Sequence, residues 1–99
     1  MSSRTYVIEN DDYNVSLSYE HDTVFLHCDV FNFNADVIER VEKDWVDVRD
    51  ALWYEGFEYV IAVPQKRGFV RKLGFEHLED LEYAGKEYGV YIWHLQSPL

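Results

Sequence analysis

Residues 34–75 read NADVIERVEKDWVDVRDALWYEGFEYVIAVPQKRGFVRKLGF. Asn32 and Asn34 can each cap a helix, and from Ala35 onward Ile38, Val41, Trp45, Val48 and Leu52 recur at steps of three and four, the apolar stripe of an amphipathic helix. The opposite side carries Asp36, Glu39, Arg40, Lys43, Asp47 and Asp50, with Asp36 before Arg40 and Glu39 before Lys43 in the favourable i,i+4 order. Gly56 supplies the left-handed residue that ends a helix, and Phe57 can reach back onto Leu52. Residues 58–63 then form a short apolar strand that stops at Pro64. Residues 66–73 read as a short helix or turn, weakened by Gly68 and closed by Gly74.

Strands are predicted on both sides of this unit. Residues 5–9 are β-branched and aromatic and break at Asn10-Asp11-Asp12, which marks an outer strand. Residues 13–19 alternate strictly, placing Tyr13, Val15, Leu17 and Tyr19 on a buried face and Asn14, Ser16 and Ser18 on a solvated one. After a turn at Glu20-His21-Asp22, residues 23–30 are apolar on both faces, as in a central strand. The long helix between 23–30 and 58–63 requires those strands to run parallel with a right-handed crossover. Residues 75–83 form an acidic, loosely alternating strand, and the link 84–87 joins it to 88–95 as a C-terminal hairpin. The expected fold is α+β: one domain, 1–99, in which a mixed sheet of about six strands packs on one long helix, with one short helix and a C-terminal hairpin.

Composition narrows the function classes. With 47% hydrophobic and 17% aromatic residues the chain can fill a core without disulfides, and Cys28 is its lone cysteine. No apolar run is long enough to span a bilayer and no secretory signal opens the chain, so the expectation is a protein that is not secreted and not in the membrane. Nineteen acidic against nine basic residues give a net charge of −10, concentrated in residues 1–50. Direct nucleic-acid binding is therefore disfavoured; the one basic group is Lys66, Arg67, Arg71 and Lys72. The acidic face of the helix, Asp36, Asp47 and Asp50, reads first as solvation and second as a surface that meets a basic partner or mimics DNA. His21, His27, Cys28, His77 and His94 lack paired metal-ligand spacing, and Cys28 reads as a buried small hydrophobe with nothing to activate its thiol.

Trp53-Tyr54-Glu55-Gly56-Phe57 before a Tyr-Val-Ile-Ala-Val strand, and Val70-Arg71-Lys72-Leu73-Gly74-Phe75-Glu76 after it, resemble phrases of the GCN5-related N-acetyltransferase (GNAT) family, and the order of elements over residues 13–95 is similar to that fold without its first helices. The resemblance implies an acetyl-CoA pyrophosphate held on backbone N–H groups at the start of the long helix, which needs a glycine-rich loop. Here the loop is Val30-Phe31-Asn32-Phe33-Asn34-Ala35: no glycine, two bulky phenylalanines, and Asp29 and Asp36 nearby. The general-acid tyrosine that the family places four residues before the Leu-Gly-Phe glycine falls on Val70, and an expected asparagine falls on Val63. No catalytic residue, cofactor or metal is assigned, though Asp29 could serve as a base in an atypical transferase.

Aromatic residues are in surplus for one helix and one sheet face. Phe31, Phe33, Tyr88, Tyr91 and Trp93 are the candidate interaction surface, for another protein or a second copy. The expected function is a non-catalytic, acyltransferase-like interaction or assembly module. Small, acidic, cofactorless versions of this fold resemble accessory and virion proteins of short-tailed bacteriophages, which implies a location in the cytoplasm or packaged in a virion. Two alternatives stand beside it: an atypical acyl-CoA-dependent N-acetyltransferase, and an acidic DNA mimic that inhibits a nucleic-acid-binding host protein.

Overall fold

A computed structural model of the chain describes residues 4–64 and 67–95. The strands and helices follow in the order β1 (Arg4–Glu9), β2 (Tyr13–Glu20), β3 (Thr23–Val30), α1 (Ala35–Tyr54), β4 (Tyr59–Ala62), α2 (Arg67–Lys72), β5 (Glu76–Tyr83) and β6 (Lys86–His94). The predicted start of the short helix at Lys66 lies outside the described residues. All six strands join one mixed sheet in the order β1-β2-β3-β4-β6-β5. The expected parallel crossover is present: β3 and β4 are parallel, and every other neighbouring pair is antiparallel.

Local chemistry sets the ends of α1. The Asn34 side chain accepts the Val37 N–H at 2.9 Å, an N-cap on the first turn. At the other end the Gly56 N–H donates to the Trp53 carbonyl at 3.0 Å and the Phe57 N–H to that of Leu52 at 3.2 Å, the two bonds of a Schellman close, with Gly56 at φ +98°. α2 closes the same way, Gly74 onto Arg71 and Phe75 onto Val70. Both helices thus stop where glycine permits a positive φ, and the chain leaves each toward the sheet.

The core lies between α1 and one sheet face. Val37, Val41, Trp45 and Leu52 of α1 meet Tyr13, Val15 and Leu17 of β2, Val24 and Leu26 of β3, Val60 and Ala62 of β4, and Tyr91 of β6; α2 adds Phe69 and Val70, with Leu73 and Phe75 just beyond it. Val37 replaces Ile38 as the first buried helical residue, and Ile38 and Val48 are only partly buried at its margin. Aromatic rings fill the far end: Trp45 is tilted on Phe75 at 5.1 Å and edge-on to Trp93 at 5.9 Å. Arg40 ties the helix to the β1–β2 turn through Asp12 and lies over the Tyr13 ring at 5.4 Å, while the Tyr13 hydroxyl donates to Asp44.

The face away from α1 differs from its sequence reading. Ser16 and Ser18 are buried, Ser16 only 1% exposed, although no helix covers them. The register explains this, because Ser16 is paired with Tyr6 on one side and His27 on the other, and the small hydroxyl sits between larger side chains. The Ser18 hydroxyl also lies 2.8 Å from His27 Nε2.

Candidate functional site

β3 and β4 are paired over only three residues, Val24–Val60, Phe25–Ile61 and Leu26–Ala62. Beyond Leu26, β3 continues to Val30 with no partner on that side among the described residues, while β4 ends at Ala62. A cleft of 510 Å³ opens where the strands part. Its walls include Cys28, Asp29 and Val30 from β3, Phe31 and Phe33 from the loop before α1, Phe69 and Val70 from α2, and Tyr88 from β6. Phe33 meets Phe69 edge-on at 6.0 Å, so the two helix starts are bridged across the cleft by aromatic rings.

The sequence-predicted interaction residues separate here. Phe31 and Phe33 stand at the cleft, 58% and 46% exposed, and Tyr88 lines it half-buried. Tyr91 and Trp93 do not join them. Tyr91 is 2% exposed opposite Ala62 and is corrected from surface to interior, and Trp93, opposite Val60, is partly buried with its ring against the core. Asp36, Asp47 and Asp50 are exposed on α1 and, at 100° per residue, fall within a band of about 60°. Lys43 falls within that band, and cations pair with acidic residues of the helix: Arg40 lies 3.8 Å from Asp36, Lys43 3.6 Å from Glu39, and Arg49 3.9 Å from Asp50.

Two titratable groups at the cleft, Cys28 and His27, are shifted toward their neutral forms. Burial, helped by Asp29, pushes the Cys28 thiol up to about 12, so almost no thiolate exists near neutral pH. Burial lowers His27, with Arg4 adding to the effect and Asp29 opposing it. The Ser18–His27 contact superficially resembles a nucleophile and base. Ser18, however, is buried and does not line the cleft, and the bond ties β2 to β3. This pair and Arg4 were not singled out from sequence, but the hairpin register that follows from the Glu20-His21-Asp22 turn sets Ser18 diagonally across from His27. Among the described residues no group of three or more His, Cys, Asp or Glu could hold a metal ion, and no helix is long and apolar enough to cross a membrane.

The start of α1 does not fit a pyrophosphate. Its Val37 N–H is already taken by Asn34, two phenylalanines occupy the approach, and the Asp29 carboxylate is exposed on the cleft wall. What the arrangement offers is a groove with an aromatic rim whose walls also carry Arg4, His27 and Asp29. No protein-family model matches the chain, and no curated protein matches it.

Proposed function

We propose that the chain is a non-catalytic interaction or assembly module with a GNAT-like architecture, whose aromatic rim at the start of α1 takes a protein surface in place of a cofactor. The observation that carries this reading is the exposure of Phe31 and Phe33 at the mouth of the cleft, together with an α1 N-terminus capped by its own Asn34. Exposed aromatic side chains at the mouth of a groove lose water on contact with a partner, and each is held by few torsions, so ordering them costs little. The setting of an accessory or virion component of a short-tailed bacteriophage rests on the sequence resemblance alone.

Two measurements on the full chain test the reading together. Acetyl-CoA at about millimolar concentration should leave the melting temperature unchanged, since a ligand that binds only the folded state must raise it. The particle mass by light scattering, alone and with co-purifying proteins, should exceed the monomer and fall to it in the Phe31→Ser, Phe33→Ser double variant. A clear thermal shift with acetyl-CoA would move the assignment to the atypical transferase. Association untouched by the double variant would remove the aromatic rim from the interface.

A further inference from the structure

The outer edge of the sheet at β5 differs in character from the rest of the surface. β5 is last in the strand order, and all eight of its residues are exposed. Among the described residues no strand pairs with its outer side, which leaves a row of backbone donors and acceptors able to template another strand. The register shift between His77 and Glu79 sets apart a regular run, Glu79 to Tyr83, opposite Val90 to Lys86 of β6. At about 3.4 Å per residue this run offers roughly 17 Å of edge.

Side chains along the run alternate in a way that specifies an occupant. Glu79, Leu81 and Tyr83 share one face, with Leu81 50% and Tyr83 71% exposed; Asp80 and Glu82 share the other. A strand laid beside them would set apolar side chains along Leu81 and Tyr83 and cations along Glu82 and Asp80, whose carboxylate also lies 2.9 Å from His77 Nε2. A second copy is a poor occupant, because two β5 edges brought together would face carboxylates with carboxylates. The opposite sheet edge, β1, carries one cation and one anion, Arg4 and Glu9, and supplies no matching positive charge.

We propose that the β5 edge accepts an extended, basic-apolar segment of another protein as a seventh strand. The inference rests on the interaction-module reading but uses a surface separate from the Phe31–Phe33 rim. The probe is a capped heptapeptide of alternating lysine and valine, titrated into the full chain while backbone amide exchange is followed by NMR. Binding should slow exchange within Glu79 to Tyr83, weaken severalfold between about 20 and 200 mM salt, and fall about tenfold in the Asp80→Asn, Glu82→Gln double variant. Both substitutions are on an exposed strand, so the fold is retained. A version with N-methylated backbone amides on one edge should bind at least tenfold more weakly.

Equal binding of the methylated peptide, unchanged exchange at Glu79 to Tyr83, or no binding at about millimolar peptide would each overturn the proposal. Those results leave the rim untouched, since loss of association in the Phe31, Phe33 variant reports on it independently. A thermal shift with acetyl-CoA would count against the module reading without altering β5 exchange.

Discussion

Alanine at Gly56 and alanine at Gly74 probe the same backbone problem with and without a second obstacle. Both glycines close a helix by the same pair of hydrogen bonds, at φ +98° and +101°. The conformational penalty for alanine is therefore shared, roughly 1–2 kcal/mol, less about 0.4–1 kcal/mol gained by restricting the unfolded chain. A Cβ at Gly56 would meet nothing within 4 Å, whereas one at Gly74 would lie 2.3 Å from Cζ3 of Trp93. That ring has little room to retreat, because it is edge-on to Trp45 at 5.9 Å, tilted on Phe75 at 5.9 Å, and covered by the Arg49 guanidinium at 5.1 Å. Moving it by about 1 Å is an overpacking change of roughly 1–3 kcal/mol. Gly56→Ala is expected to cost about 1 kcal/mol and Gly74→Ala about 2–4 kcal/mol. Urea unfolding followed by far-ultraviolet circular dichroism reads both without relying on Trp93 fluorescence, and the slopes should agree between variants. Shortening the ring in Gly74→Ala, Trp93→Leu should recover about 1–2 kcal/mol relative to the sum of the single changes. Equal losses for the two glycine variants, or no coupling to Trp93, would refute the steric part of the argument.

Two further outcomes follow from the cap and from the half-buried histidine on β3. Asn34→Ala removes the bond to the Val37 N–H and should lower stability by about 1 kcal/mol in the same urea experiment, with Asn34→Asp retaining most of it; no loss in the alanine variant would mean the cap is idle. His27 has its folded pKa depressed, chiefly by burial, so its contribution is complete above the ordinary value of 6.5 and is lost as pH falls through the folded value. The urea midpoint should accordingly decline just below pH 6.5 and decline less in His27→Gln, and parallel slopes in the two proteins would exclude His27 as the source.

What could be read from sequence was whatever depends on neighbours along the chain. The glycine closes after α1 and α2, the Asn34 cap, the hairpins and the parallel crossover all follow from residues a few positions apart or from the length of one connection. What could not be read depends on which face of a strand meets α1. The 88–95 strand carries apolar residues on both sides, and only the register with β4 turns Tyr91 and Trp93 inward, where Ala62 and Gly74 leave space for their rings. Ser16 and Ser18 alternate like solvated positions, yet lateral neighbours on β1 and β3 enclose them. At the cleft, Phe31 and Phe33 were legible as two bulky aromatic residues in the short loop between β3 and α1. The separation of β3 from β4 that creates the space was not, since nothing local marks where a ladder ends.

That three-pair ladder also governs how expensive the topology is to assemble. β1, β2 and β3 close through short turns, as do β5 and β6, but Val24 and Val60 are 36 positions apart. Closing a flexible loop of that length costs roughly 3 kcal/mol of chain entropy, set against only three rungs of main-chain bonding. α1 turns 20 of the intervening residues into a rigid rod of roughly 30 Å. In this role the helix is a folded spacer: once formed, it brings two otherwise separate ribbons of strand into register.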